Sequence, residues 1–219
     1  QKNESKFFTL LHYDPPINEV NPDESIQIKN TFTRKDDASH NIEVFRYIQS
    51  IREVDREIGR LIKVINKQNL LKDTIVIMTS DHGYELDDYQ TNYYGHSSNY
   101  SPVQTKVPMM MIWPGRDAKK YSFRSSHHDF APTLMREILG CSNNYSDYST
   151  GNNLFDEKPW RYLIAGSYDS FSVLTDQKII VSYGSYFEVR DQNYDLSEIE
   201  GSDYTDLEDA ISDMSQYFK

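Results

Sequence analysis

The sequence contains a single cysteine, Cys141, so no disulfide can form within the chain and cysteine usage says nothing about redox compartment. Long apolar runs are also missing. The longest extends from about Val107 to Trp113, well short of the roughly 20 residues that a membrane-spanning helix requires. Positive charge is scarce, with 23 Lys and Arg against 34 Asp and Glu and a net charge of -11. That balance argues against nucleic acid as a partner, because a phosphate backbone demands a basic surface. It does not exclude a small anionic substrate, since a bound cation reverses the local field. There is no Gly-x-Ser-x-Gly elbow, no His-Glu-x-x-His helix and no phosphate-cradling Gly-rich loop. Internal repeats and low-complexity segments are absent as well. The chain starts Gln1-Lys2-Asn3, with neither an initiator methionine nor a signal-peptide pattern, and is expected to be a piece of a longer protein.

What is present fits a folded chain. Hydrophobic residues make up 37% of 219, with 17 Tyr and 10 Phe, enough for one domain with a sizeable core or one carrying a small subdomain. Phe7 to Tyr13 reads as a short buried strand stopped by Asp14-Pro15-Pro16, and about Ile17 to Ser39 as a long loop. Val44, Ile48, Ile51, Val54, Ile58, Ile62 and Ile65 recur at helical spacing, with charged residues between them. Thr74 to Ser80 is an apolar, β-branched run with the character of a buried parallel strand, so strand, helix and strand follow in the βαβ order of a parallel sheet. Val107 to Trp113 is a further strand, closed by Pro114-Gly115. Asp129 is placed to cap a helix that Gly140 ends. From Trp160 to Arg190 short strand-like runs follow one another closely, predicting antiparallel hairpins. Asp203 to Lys219 reads as an acidic helix with Leu207, Ile211, Met214 and Phe218 on one face. The expected domains are residues 1–156, an α/β domain, and 157–219, a small antiparallel β-subdomain with a terminal helix packed on it.

The chemistry concentrates where the strand at Thr74 to Ser80 ends, in Asp81-His82-Gly83. Ligand sites of parallel sheets lie beyond the carboxyl ends of their strands, and adjacent Asp and His offer oxygen and nitrogen to one divalent cation. Gly83 supplies a permissive backbone for a tight turn. The competing reading makes Asp81 a helix cap and His82 a local packing residue. Of the six histidines, His12 falls at the end of the first strand and His96 in the loop after His82. Glu85 reads as an orienting residue, and Asp87 and Asp88 as a solvated acidic loop. A pair of ligands cannot run a reaction alone. Ester hydrolysis needs three or more protein ligands and a nucleophile or activated water.

Thr74 to Gly83, the helix positions Tyr47, Ile51, Asp55, Ile58 and Gly59 before it, Val107-Pro108 to Trp113-Pro114-Gly115, and Ser126-His127-His128-Asp129 with Ala131-Pro132-Thr133-Leu134 resemble, in order, motifs of the sulfatase family in the alkaline phosphatase superfamily. Asp147-Tyr148-Ser149-Thr150-Gly151 to Leu154-Phe155 resembles the periplasmic sulfatase-like domain of certain bacterial inner-membrane proteins. The resemblance implies an alkaline-phosphatase-like α/β fold, a mostly parallel sheet flanked by helices, of which this is the C-terminal half, with a small antiparallel C-terminal sheet. It implies that Asp81 and His82 ligate a divalent metal ion (Ca, Mg, Mn or Zn) and that His96 faces the substrate anion or a second metal. His12 and His127 are further candidates, each with a structural role as its alternative. The nucleophile and the remaining ligand would lie in a preceding half, so the isolated piece is expected to be inactive. The implied function is a metal-dependent hydrolase or transferase for sulfate or phosphate esters. The alternative is a non-catalytic periplasmic domain that regulates envelope lipid or lipopolysaccharide assembly by binding lipid or protein. Either way the whole protein is expected to be anchored in the bacterial inner membrane, with an ester substrate or an envelope lipid as partner.

Overall fold

The computed structural model describes residues 7–13, 34 and 37–216. Most of the loop expected between Ile17 and Ser39 lies outside the described residues, as does Phe218. Helix α1, Ala38–Lys67, realises the helical periodicity over 30 residues. Asp37 caps it, its carboxylate accepting the backbone N–H of His40 at 3.0 Å. Val44 is buried and most of the apolar stripe is half-buried, but Ile51 is exposed. Ion pairs Glu43–Arg46, Glu53–Arg56 and Glu57–Arg60, each three residues apart, line its outer surface.

Strand β1, Val76–Thr79, neighbours β4, Met109–Ile112, in a two-stranded sheet. Between them lie β2, Glu85–Leu86, paired antiparallel with β3, Tyr94–Gly95, and one turn of helix α2, Pro102–Thr105. Helix α3, Phe130–Leu139, follows a 3-10 turn at His127–Asp129. Its C-terminus closes on Gly140 in the left-handed region at φ 67°. The cap at its start differs from expectation. Asp129 does not cap α3 with its own side chain; Ser126 does so one turn earlier, in a reciprocal box with Asp129.

Strands β5, Leu163–Gly166, β6, Phe171–Leu174, β7, Ile179–Ser182, and β8, Phe187–Arg190, form a four-stranded antiparallel meander in sequence order. The links close tightly, with Ser167, Thr175 and Tyr183 each donating a backbone N–H to the carbonyl three residues on. Gly184 takes φ 83°, the sign that a two-residue hairpin needs at that place. In register, Ile164, Val173, Ile180 and Val189 form a row across the sheet. That row packs with Tyr162 against Leu207 and Ala210 of helix α4, Gly201–Ser215. The other face, through Ile179 and Val181, packs on Tyr100. Strand β7 is therefore covered on both sides, which explains its unbroken apolar run.

Two expectations are corrected. Residues 7–13 form no strand and are exposed, Phe8 by 83%. Their composition suits a strand interior, but a strand exists only through ladder partners, and among the described residues none pairs with them. On α4, Ile211 is exposed, and the inward row is Asp203, Leu207, Ala210 and Met214. Asp203 can lie inward because Lys178 meets it at 3.0 Å and its carboxylate accepts the Glu200 N–H at 2.7 Å. The chain resolves into two compact units, residues 1–77 with 110–115 and residues 78–109 with 116–219.

Candidate functional site

Asp81, His82, His96 and His127 all belong to the second unit. The turn after β1 is made by short-range bonds. Asp81 Oδ1 accepts the His82 backbone N–H at 2.9 Å, and Ser80 Oγ donates to the His82 carbonyl at 2.7 Å. Gly83 then passes so close to α2 that a Cβ there would sit 2.0 Å from the Val103 carbonyl oxygen, while its N–H donates to the Gln104 carbonyl at 2.8 Å. No other residue fits without moving the backbone. That close approach, rather than the turn alone, is the reason for glycine.

The His82 ring is oriented by the same turn. Its Nδ1 lies 2.8 Å from the Gly83 carbonyl oxygen, which can only accept. In the neutral ring Nδ1 therefore carries the proton and Nε2 keeps its lone pair, as second-shell carbonyls arrange for ligating histidines. Nε2 lies 3.6 Å from Asp81 Oδ2, with the two side chains 42% and 70% exposed. The Asp81 carboxyl sits below the usual carboxylate range. Partial burial alone would raise it, but the His82 backbone N–H and imidazole outweigh that. Asp81 Oδ2 and His82 Nε2 thus face each other at an accessible point, oxygen and nitrogen donors of the types that suit a divalent cation.

His96 joins them through the ring faces. The imidazoles of His82 and His96 stack with centroids 3.9 Å apart at 21°. His96 follows Gly95, which pairs across the ladder with Glu85. Its carbonyl accepts the Tyr93 hydroxyl at 2.6 Å, and its Nδ1 lies 2.8 Å from Ser97 Oγ. The loop is held against the meander by Tyr100, whose hydroxyl donates to the Ser170 carbonyl at 2.7 Å, and by Ser167 Oγ donating to the Ser97 carbonyl at 3.2 Å.

The remaining candidates stand elsewhere. His127 Nε2 lies 3.3 Å from Thr79 Oγ1, a hydroxyl that also donates to the Pro108 carbonyl at 3.0 Å, so this ring ties the 3-10 turn to the strand end. His12 is exposed, against the expectation of a buried histidine, and belongs to the other compact unit. Asp87 is buried rather than solvated, its carboxylate accepting the Asn92 N–H at 2.5 Å and closing the loop between β2 and β3. Among the described residues, no group of three or more His, Cys, Asp or Glu side chains converges as a metal site.

In the sequence Asp129 reads as a helix cap. The structure makes it a buried hub, accepting from Ser126 N at 2.7 Å, Asn152 N at 2.7 Å and Trp160 Nε1 at 3.1 Å. Ser149 and Thr150 lock onto His128 at 2.9 and 2.7 Å, and a Cβ at Gly151 would meet the His128 carbonyl oxygen at 2.0 Å. The motifs at 126–129 and 147–151 thus brace each other. The Ser-x-x-Asp spacing was the available signal for the box, whereas nothing local announced the partner loop.

Comparison with known proteins identifies the family and the fold of the chain. The family model described as Sulfatase matches residues 1–138, and the chain belongs to that family. A solved protein in complex with its substrate D-glucosamine-2-N,6-O-disulfate superimposes with a TM-score of 0.62 at 17% identity, over 81% of this chain and 41% of that one. The fold is accordingly the alkaline-phosphatase-like α/β fold of sulfatases, here with its small antiparallel sheet. Among curated relatives, the chain is 26% identical to the inner membrane protein YejM of Salmonella typhimurium over 167 residues, 75% of this chain and 27% of that protein. It is 34% identical to dog arylsulfatase K over 142 residues, 61% of this chain and 25% of the relative. It is 26% identical to the choline-sulfatase of Rhizobium meliloti over 130 residues, 58% of this chain and 25% of the relative. The chain thus spans about a quarter of the length of these relatives.

Proposed function

We propose that this chain supplies the Asp-His side of a metal-dependent site for a sulfate or phosphate ester, in a sulfatase-like hydrolase or transferase whose nucleophile and further ligand lie outside these residues. The observation that carries the reading is the convergence of Asp81 Oδ2 and His82 Nε2 at 3.6 Å, with the ring's other nitrogen committed to a backbone carbonyl. Asp81 and His82 would hold a divalent ion (Ca, Mg, Mn or Zn), which when bound polarises an ester oxygen. His96, which stacks on His82, would hydrogen-bond the substrate anion or protonate a leaving group. His127 serves as a tether to Thr79, and His12 has no part in the proposal. Under the division at 156/157, residues 157–219 would be a small subdomain that packs through Ile179 and Val181 on Tyr100 of the preceding part.

The match to an inner membrane protein favours a second reading, a periplasmic domain of a membrane-anchored protein that regulates envelope lipid assembly without turnover. Among the described residues no helix is long and apolar enough to cross a membrane, so under this reading the anchor lies elsewhere. Calorimetric titration of the whole protein with Mn²⁺ tests the metal reading. Wild type is expected to bind, and Asp81→Ala to bind at least about tenfold more weakly. Equal affinity in the two would refute the assignment.

A further inference from the structure

We infer that Glu85 is a positioning residue for the His82–His96 pair, acting through the hydrogen bonds its carboxylate accepts from Asn99, Ser101 and Gln104. The inference rests on the reading of Asp81, His82 and His96 as the site. Glu85 is fully buried, at 0% exposure, and three residues beyond His82. Its Oε2 accepts Asn99 Nδ2 at 2.7 Å, Gln104 Nε2 at 2.8 Å and Ser101 Oγ at 3.4 Å, all donors from the segment that follows His96. Gln104 in turn accepts the Gly83 N–H through its backbone carbonyl at 2.8 Å, so the bonded path returns to the turn that carries His82. On the other side, Glu85 is the ladder partner of Gly95, the residue before His96. The carboxylate oxygen thus holds the segment after His96 and, through Gln104, the turn that carries His82, while the Glu85 backbone pairs beside His96.

Three donors converge on a single oxygen, a role that a carboxylate or carboxamide oxygen at that place fills. Hydrocarbon at this position would leave those donors buried and unpaired. The imidazoles stack face to face at 3.9 Å, and small displacements of either loop would separate them. Oε1 of Glu85 makes no hydrogen bond among the described residues, so an isosteric Gln can keep the accepting oxygen where it is.

The test uses the whole protein with selectively labelled histidine. Ring-proton signals of His82 and His96 report the stack by their mutual ring currents, with no metal needed. Mn²⁺ titration reports affinity. Glu85→Ala is expected to shift the signals of both rings and weaken Mn²⁺ binding by about tenfold or more, while Glu85→Gln retains both properties. Should Glu85→Ala fail to fold, Glu85→Asp, which withdraws the oxygen by one methylene, is expected to shift the same signals. Wild-type ring signals in a folded Ala or Asp variant would overturn the inference, as would an equal loss in Glu85→Gln. If wild type binds no Mn²⁺, the metal reading fails separately, and the ring signals alone decide the role of Glu85.

Discussion

In the meander, Val173, Ile180, Val181 and Val189 are shut away from solvent among other hydrocarbon, whereas between Thr79 and Lys106 the buried side chains besides Tyr100 are Glu85, Asp87, Ser101 and Gln104. Both regions belong to one compact unit. The first is held by burial, which is non-directional and tolerates swaps that preserve volume. The second is held by directed hydrogen bonds and by the approach of Gly83 to Val103, where angstrom-scale changes break the arrangement. The comparison separates a platform that fixes position from a loop system that carries the candidate chemistry, joined through Tyr100 and Ser167.

That contrast can be broken experimentally. The largest effect is expected for Ile180→Ala in the meander, about 2–5 kcal/mol of unfolding free energy against about 0.5–1.5 for Ile180→Val, read by urea denaturation. A near-zero cost for the alanine would show that the platform is not held by hydrocarbon packing. Next comes Gly83→Ala, whose new methyl would overlap the Val103 carbonyl. It is expected to lower stability by about 1–3 kcal/mol and, unlike Ile180→Val, to weaken Mn²⁺ binding. Equal metal affinity in Gly83→Ala would mean that the loops are less tightly specified than their bonding implies.

The smallest effect appears only in alkali. Burial first, then the nearby Glu188 carboxylate, pushes the Tyr183 phenol from its ordinary 10.0 up to about 12. A neutral phenol is favoured in the folded state, so its contribution to stability is complete below pH 10 and is lost as the pH rises through about 12. Ultraviolet titration of tyrosinate should show a late step that moves back toward 10 in Glu188→Gln, with no change at the His82–His96 pair. An unmoved step would remove Glu188 as a cause.

Legibility in the sequence followed the range of each interaction. The α1 periodicity, the Gly140 stop and all four meander strands could be read because they depend on consecutive residues. The Asp81-His82 pair after a strand end was readable for the same reason, since the two residues are adjacent. The run at 7–13 misled because strand composition was present while its ladder partners, which composition does not reveal, were not found among the described residues. Ile211 misled because helical spacing alone does not say which side meets a sheet, and the buried Asp203 depends on Lys178, 25 residues away.

By itself the sequence determined that Asp81, His82 and Gly83 end a strand, that His96 follows in a loop, and that the family motifs occur in order. Only the tertiary structure decided that His96 stacks on His82, that His127 reaches Thr79, and that Glu85 and Asp129 are buried hubs. The reason is physical. Helix, turn and strand character arise from bonds within a few residues, whereas stacked rings and shared carboxylates require segments 14 to 48 residues apart to arrive at one place, which packing alone arranges.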